Sequence, residues 1–183
     1  MNGKLKVVIT GASSGIGFEL ARRYLENGAV VGLISRTAVK LAFFEDHWPD
    51  SAMILSSDVR NLESIQNVAG EFMIRFGCPD IVVANAGIGF GNLTEYAEDI
   101  ESFQAIYDTN VIGVARTFQP FLRRMKAEGK GKLVGIASVA GFRGLPGASA
   151  YSSSKAAVIN YLEGLRCELY GSGIKVITIC PGY

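Results

Sequence analysis

The chain has 183 residues, which suffices for one well-buried α/β core and leaves little room for a second domain. Hydrophobic residues make up 49% of it, and 18 basic residues nearly balance 17 acidic ones for a formal net charge of +1; bulk charge points to neither a nucleic acid nor an acidic membrane as partner. Cys78, Cys167 and Cys180 are odd in number and lack Cys-x-x-Cys spacing, so a disulfide framework or zinc ribbon is not expected, and the three read as reduced, mostly buried small residues.

The N-terminus, Met1-Asn2-Gly3-Lys4, runs almost directly into an apolar segment, with no charged-then-apolar leader. No apolar run approaches the roughly 20 residues of a membrane span. The expectation is a cytoplasmic protein with no membrane partner.

Leu5 to Thr10 is a β-branched run that stops at Gly11 and reads as a buried strand. It is followed by Gly11-Ala12-Ser13-Ser14-Gly15-Ile16-Gly17 and then by a helical pattern at Ile16, Leu20, Tyr24 and Leu25 that ends at Asn27-Gly28. Strand, glycine loop and helix in succession form the first half of a nucleotide-binding unit. Its glycines let the backbone approach a pyrophosphate, and free N–H groups at the helix start favour the negative charge.

Val30 to Ile34 is the second strand, ending at Ser35-Arg36-Thr37. At that tip of a dinucleotide fold an acidic residue holds a ribose 2′-hydroxyl and a basic one a 2′-phosphate. No Asp or Glu lies between Asn27 and Glu45, so Arg36, assisted by Ser35, predicts a preference for NADP(H), with NAD(H) as the lesser possibility, unless it is only a surface arginine opening the next helix. The following helix carries the only His and Trp, and His47, without a second ligand nearby, is expected to be a surface residue and to bind no metal.

Ala52 to Leu55 is a third strand leading to Asp58-Val59, where Asp58 either contacts an adenine or holds the backbone at the strand exit. Leu62, Ile65, Ala69, Phe72 and Phe76 mark an amphipathic helix. Asp80 to Ala84 is a fourth strand, ending in Asn85-Ala86-Gly87-Ile88-Gly89, a tip that forms either a plain turn or a bed for a flat ligand. A long helix is predicted over Phe103 to Glu128. Within it Asn110 lies among apolar neighbours and needs a polar network or a water to satisfy its amide, unless helix packing is its only role.

Leu133 to Ala137 is a fifth strand, closing at Ser138 and a loop with Phe142, Arg143 and Leu145. The next helix, from Ser149 to Gly171, carries Tyr151 and Lys155 one turn apart on one face. A phenol of pKa ~10 needs about 4 kcal/mol of preference for its anion to work near neutrality. An ammonium ~5 Å away at an effective dielectric of ~20 supplies roughly 3 kcal/mol. Lys155 thus makes Tyr151 a candidate acid/base, and Ser138 at a facing strand end is a natural partner for a substrate oxygen. The stripe Tyr151, Lys155, Val158, Leu162, Leu165 and Leu169, with Ala156, Ala157, Ile159 and Tyr161 on other faces, predicts a helix covered on several sides and therefore a subunit interface.

Ile174 to Cys180 is a sixth strand, and Pro181-Gly182-Tyr183 follows. Strands alternating with helices predict one doubly wound Rossmann domain over residues 1–183, a parallel sheet with helices on both faces and ligands at the strand C-termini.

The ordered set Thr10 to Gly17, Asn85-Ala86-Gly87, Asn110, Ser138, Tyr151-x-x-x-Lys155 and Pro181-Gly182 resembles the classical short-chain dehydrogenases/reductases over essentially the whole chain. The resemblance implies an NAD(P)-dependent oxidoreductase that interconverts a secondary alcohol and a carbonyl. Tyr151 would be the general acid/base, Ser138 would hold the substrate oxygen, and Lys155 would bind the nicotinamide ribose and depress the tyrosine pKa. Asn110 would hold a water in a proton relay, Asp58 would contact the adenine, and Gly87, Pro181 and Gly182 would line the cofactor. It also implies a homodimer or homotetramer built through the two long helices.

Ser14 is not the basic residue some NADP-dependent members carry, so the NADP expectation rests on Arg36. The family continues well beyond Pro-Gly with a substrate lid and a further strand, and this sequence is read as truncated relative to it. Phe90, Phe142, Leu145 and Tyr183 favour a small apolar substrate, whereas Arg143 favours an anionic group. Other readings are a dinucleotide sensor without chemistry, and an epimerase or dehydratase that retains its nicotinamide.

Overall fold

The computed structural model describes residues 3–182. Strands β1 (Lys6–Thr10), β2 (Val30–Ser35), β3 (Ala52–Ser56), β4 (Ile81–Ala84), β5 (Gly131–Ile136) and β6 (Ile174–Ile179) form one sheet in the order β3-β2-β1-β4-β5-β6, with every pair parallel. The strands alternate with helices α1 (Gly15–Glu26), α2 (Ala42–His47), α3 (Leu62–Phe76), α4 (Asp99–Tyr107), α5 (Gly113–Glu128) and α6 (Ser149–Glu168). This is the doubly wound fold expected from the alternation.

Side chains along each strand point to opposite faces, and the sequence fills both. Val7, Ile9, Val31, Leu33 and Val83 pack with Ala21, Leu25 and Phe44 from α1 and α2. Val8, Val82, Leu133 and Val176 pack on the other face with Phe72, Phe118, Phe121, Val158 and Leu162 from α3, α5 and α6. Burial on both faces is why the strands read as continuous apolar runs rather than as alternating ones.

Chain order reverses between β1 and β4, which are neighbours in the sheet. The loops leaving those two strands depart toward opposite sides and open a crevice at their C-terminal ends. The side chain of Thr10 fixes the parting point: its Oγ1 accepts from the N–H groups of Asn85 and Ala86, both at 3.1 Å.

Four local features differ from the sequence reading. The long helix begins at Asp99 rather than Phe103, and a π-helical turn at Asp108–Ile112 separates α4 from α5. Such a turn inserts extra backbone into a helix and re-aims the side chains on it, here those of Thr109 and Asn110. The helix from Ser149 ends at Glu168, because Gly171 and Gly173 take φ of +76° and +78° in the turn that leads to β6. The loop after Ser138 contains a 3₁₀ turn over Val139–Phe142. Cysteine burial is mixed rather than general: Cys78 is buried, Cys180 half-buried and Cys167 exposed, and all three are free.

His47 is exposed at the end of α2, with Nδ1 2.8 Å from the Phe43 carbonyl, as expected of a surface residue. Among the described residues no helix is long and apolar enough to cross a membrane, and no group of three His, Cys, Asp or Glu is placed to hold a metal.

Candidate active site

A cleft of about 490 Å³ lies at the C-terminal ends of the strands. Gly11, Ser13, Ser14, Ile16, Ser35, Arg36, Asp58, Val59, Asn85, Ala86, Gly87, Ser138, Tyr151, Lys155, Pro181 and Gly182 all line it. Three sequence-predicted residues do not. Gly15, exposed, and Gly17, buried, belong to the start of α1, and Asn110 is buried.

The glycine loop is shaped by contact as much as by conformation. Gly11 takes φ +67°, and a Cβ there would stand 2.8 Å from the Ala86 Cα. A Cβ on Gly17 would fall 2.3 Å from the Gly11 carbonyl oxygen and 2.4 Å from Asn85 Nδ2, so α1 can begin this close only with glycine. Asn85 Nδ2 closes the arrangement by donating to the carbonyls of Thr10 and Gly11 at 3.0 and 3.2 Å.

Ser14 is the N-cap of α1, yet its side chain makes no capping bond and the first turn holds no acidic residue. The helix N–H groups are left to whatever occupies the cleft. Arg36 is exposed at the tip of β2, and among the described residues it takes part in no ion pair. A glycine-rich loop of small side chains, an uncapped helix start and a guanidinium outside any ion pair among the described residues are the donor set that suits a dinucleotide and its phosphates.

Of the two roles foreseen for Asp58, the structure shows the one at the strand exit. Its carboxylate accepts from the backbone N–H of Arg60 at 2.9 Å and pairs with the Arg60 guanidinium at 2.7 Å, which holds the turn after β3, while the residue also lines the cleft. The hydrogen bond from Arg60 keeps the carboxyl below its usual range against the effect of burial, with a smaller contribution from the Arg36 charge.

On the opposite wall α6 carries Tyr151 and Lys155. Lys155 is 5% exposed, its Nζ donates to the Ile136 carbonyl at 2.8 Å, and it lies 5.7 Å from the centre of the Tyr151 ring. Burial pushes the Lys155 ammonium down to about 8, with Cys180 acting in the opposite sense. Ser138 lies two residues past the end of β5 and caps the 3₁₀ turn, its Oγ accepting from the Ala140 N–H at 3.1 Å. Asn110, 1% exposed, is fully engaged: its Oδ1 accepts from Ile88 N at 2.8 Å, and its Nδ2 donates to the Ile88 carbonyl at 2.9 Å and to Ser154 Oγ at 3.0 Å. That side chain ties the loop after β4 to α6, which meets the polar-network requirement of a buried amide.

The chain matches the family model described as short chain dehydrogenase over residues 5–183. It belongs to the short-chain dehydrogenase family. The family is one of oxidoreductases, and an uncharacterized oxidoreductase of Myxococcus xanthus is 36% identical to this chain, covering 96% of it and 70% of that protein. A short-chain dehydrogenase of Streptomyces avermitilis superposes with a TM-score of 0.94 at 33% identity, over 100% of this chain and 67% of the other. A gluconate 5-dehydrogenase of Burkholderia cenocepacia, solved in complex with NADP and tartrate, gives 0.90 at 31% identity, over 100% and 72%. The chain spans 61% to 70% of the length of the first curated relatives it matches.

Several cleft residues were not singled out by the sequence: Ile34, Ser57, Thr109, Ile136 and Ala137. Ile136 and Ala137 lie on the strand end next to Ser138 and were within reach of the strand rule. Thr109 enters through the π-helical turn, which leaves no local sequence mark.

Proposed function

We propose that this short-chain dehydrogenase is an NADP(H)-preferring oxidoreductase that interconverts a small secondary alcohol and its carbonyl. The observation that carries the reading is the meeting of Ser138, Tyr151 and Lys155 in one cleft with the glycine cradle and Arg36. The bound nicotinamide would supply the hydride in the reducing direction.

The chain's own residues account for the rest. Gly11, the open start of α1, Asn85 to Gly87, and Pro181-Gly182 would hold the dinucleotide, with Arg36 and Ser35 on its 2′-phosphate and Asp58 and Val59 along the adenosine. Tyr151 Oη would give its proton to the substrate oxygen. Ser138 Oγ already accepts from Ala140, so its hydroxyl proton is the part free to donate to that oxygen as charge develops. Lys155 has three donors and spends one on Ile136; the others, facing the cleft, serve a ribose hydroxyl and favour the phenolate.

An apolar substrate is supported by Phe90 and Phe142, 52% and 67% exposed, which follow glycines packed against the Tyr151 ring and the Lys155 backbone. Tyr183, expected to join them, lies outside the described residues. The half-buried flank of α6 at Ala156, Ala157, Ile159 and Tyr161 supports a homodimer or homotetramer.

The test is NADPH consumption against a panel of aryl and alkyl ketones. Loss of the acid/base lowers turnover about 10²- to 10⁴-fold in Tyr151→Phe while NADPH still binds. Unchanged turnover in that variant would remove Tyr151 from the chemistry.

A further inference from the structure

The start of α6 is capped from a distant part of the chain. Ala148 stands at its N-cap position and has no polar side chain, and the first turn holds no acidic residue. The N–H of Ala150, normally satisfied by the cap residue, instead donates to Asn92 Oδ1 at 3.2 Å. Asn92 Nδ2 donates to Ser149 Oγ at 3.0 Å, and its backbone N–H donates to the Gly147 carbonyl at 2.9 Å. Asn92 and Ala148 form an isolated parallel bridge. A side chain that is 5% exposed thus spends both ends of its amide on one helix turn.

That turn carries the phenol. Tyr151 directly follows Ala150, and the loop that holds Asn92 also touches the Tyr151 ring, since a Cβ on Gly89 would lie 3.0 Å from its Cδ2. Lys155 is anchored separately, to the Ile136 carbonyl on β5. The relative placement of the pair therefore depends on two anchors, one on the sheet and one on the loop after β4.

We propose that Asn92 is a positioning residue for Tyr151: from the loop after β4 it caps the first turn of α6 and fixes the phenol relative to Lys155. Its catalytic meaning rests on the reading of Tyr151 as the acid/base, but the placement it describes does not.

The test uses the full chain without cofactor, labelled with ¹³C at tyrosine Cζ, with the Tyr151 signal identified by its loss in Tyr151→Phe. Hydrogen exchange of the 148–156 segment is followed in parallel. In Asn92→Ala the amides of Ala150 to Ser152 should exchange about tenfold faster, the effect of losing one helix cap. The Tyr151 signal should move while the other tyrosines stay. Asn92→Asp keeps an acceptor for the Ala150 N–H and adds a charge favoured at a helix start, so it should restore both readouts.

An unmoved Tyr151 signal in Asn92→Ala, a general shift of all the tyrosines, or a failure of Asn92→Asp to restore the wild-type signal would each overturn the proposal. Should Asn92→Ala not fold, Ser149→Ala removes only the partner of Nδ2 and should move the Tyr151 signal by a smaller amount; no movement there would also overturn it. None of these readouts involves NADPH, so they stand or fall independently of the proposed cofactor and reaction.

Discussion

Two helices begin at the cleft, and they begin differently. At α1 the cap residue Ser14 makes no side-chain bond, no carboxylate sits in the first turn, and Ser14, Gly15 and Ile16 are exposed. At α6 the missing cap is replaced by Asn92 from another loop, and Lys155, one turn beyond Tyr151, is buried. An uncapped start keeps N–H donors for a ligand, while a capped start holds its side chains still. In the proposed function this contrast assigns binding to the α1 wall and the placement of reacting groups to the α6 wall.

If that division is right, changes on the α6 wall should register as stability and those on the α1 wall as affinity. The largest effect is expected at Lys155. Folded Lys155 loses its proton near 8, whereas the unfolded chain keeps it to about 10.5. Between those values the unfolded state binds more protons, so wild-type stability should rise with pH there; below about 8 the cost of burying the charge is carried in full. The shift corresponds to about 3 kcal/mol. Denaturant unfolding of the wild type and of Lys155→Met from pH 7 to 10.5 should show the wild type gaining on the variant by about that amount. Parallel curves would mean that Lys155 is not paying for its burial.

A smaller effect of opposite character is expected at Ser14. Its extended backbone, φ −165° and ψ 168°, is that of an N-cap, so an aspartate there can take the free N–H groups. Ser14→Asp should raise fold stability by up to about 1 kcal/mol. It should weaken NADPH binding about tenfold or more, since a carboxylate then competes with phosphate for the same donors. Thermal melts alongside NADPH titrations separate the two. A variant stabilised without loss of affinity would break the contrast between the walls.

How much of this was legible follows from the range of each interaction. The strands, the glycine loop and the Tyr151–Lys155 spacing are local patterns, and they were read directly. Gly17 was legible as a motif position, but its reason, contact with Gly11 and Asn85, needs the fold. The π-helical turn carries Asn110, which bonds to Ile88 and Ser154, and nothing in the run from Phe103 onward marks it. Asn92 left no trace at all: it looks like one more polar residue in a glycine-rich loop, and its partners at Gly147, Ser149 and Ala150 come near only once β4 and β5 pair.

The most direct measurement of the account is a fluorescence titration of the protein with NADPH and, in parallel, NADH, repeated with Arg36→Ala. One charge-assisted hydrogen bond contributes ~1.5–3 kcal/mol, so NADPH should bind about ten- to a hundredfold more tightly than NADH, and Arg36→Ala should abolish the difference. Equal affinity of the wild type for the two cofactors, or binding of neither, would contradict the claim that this cleft is an NADP(H) site.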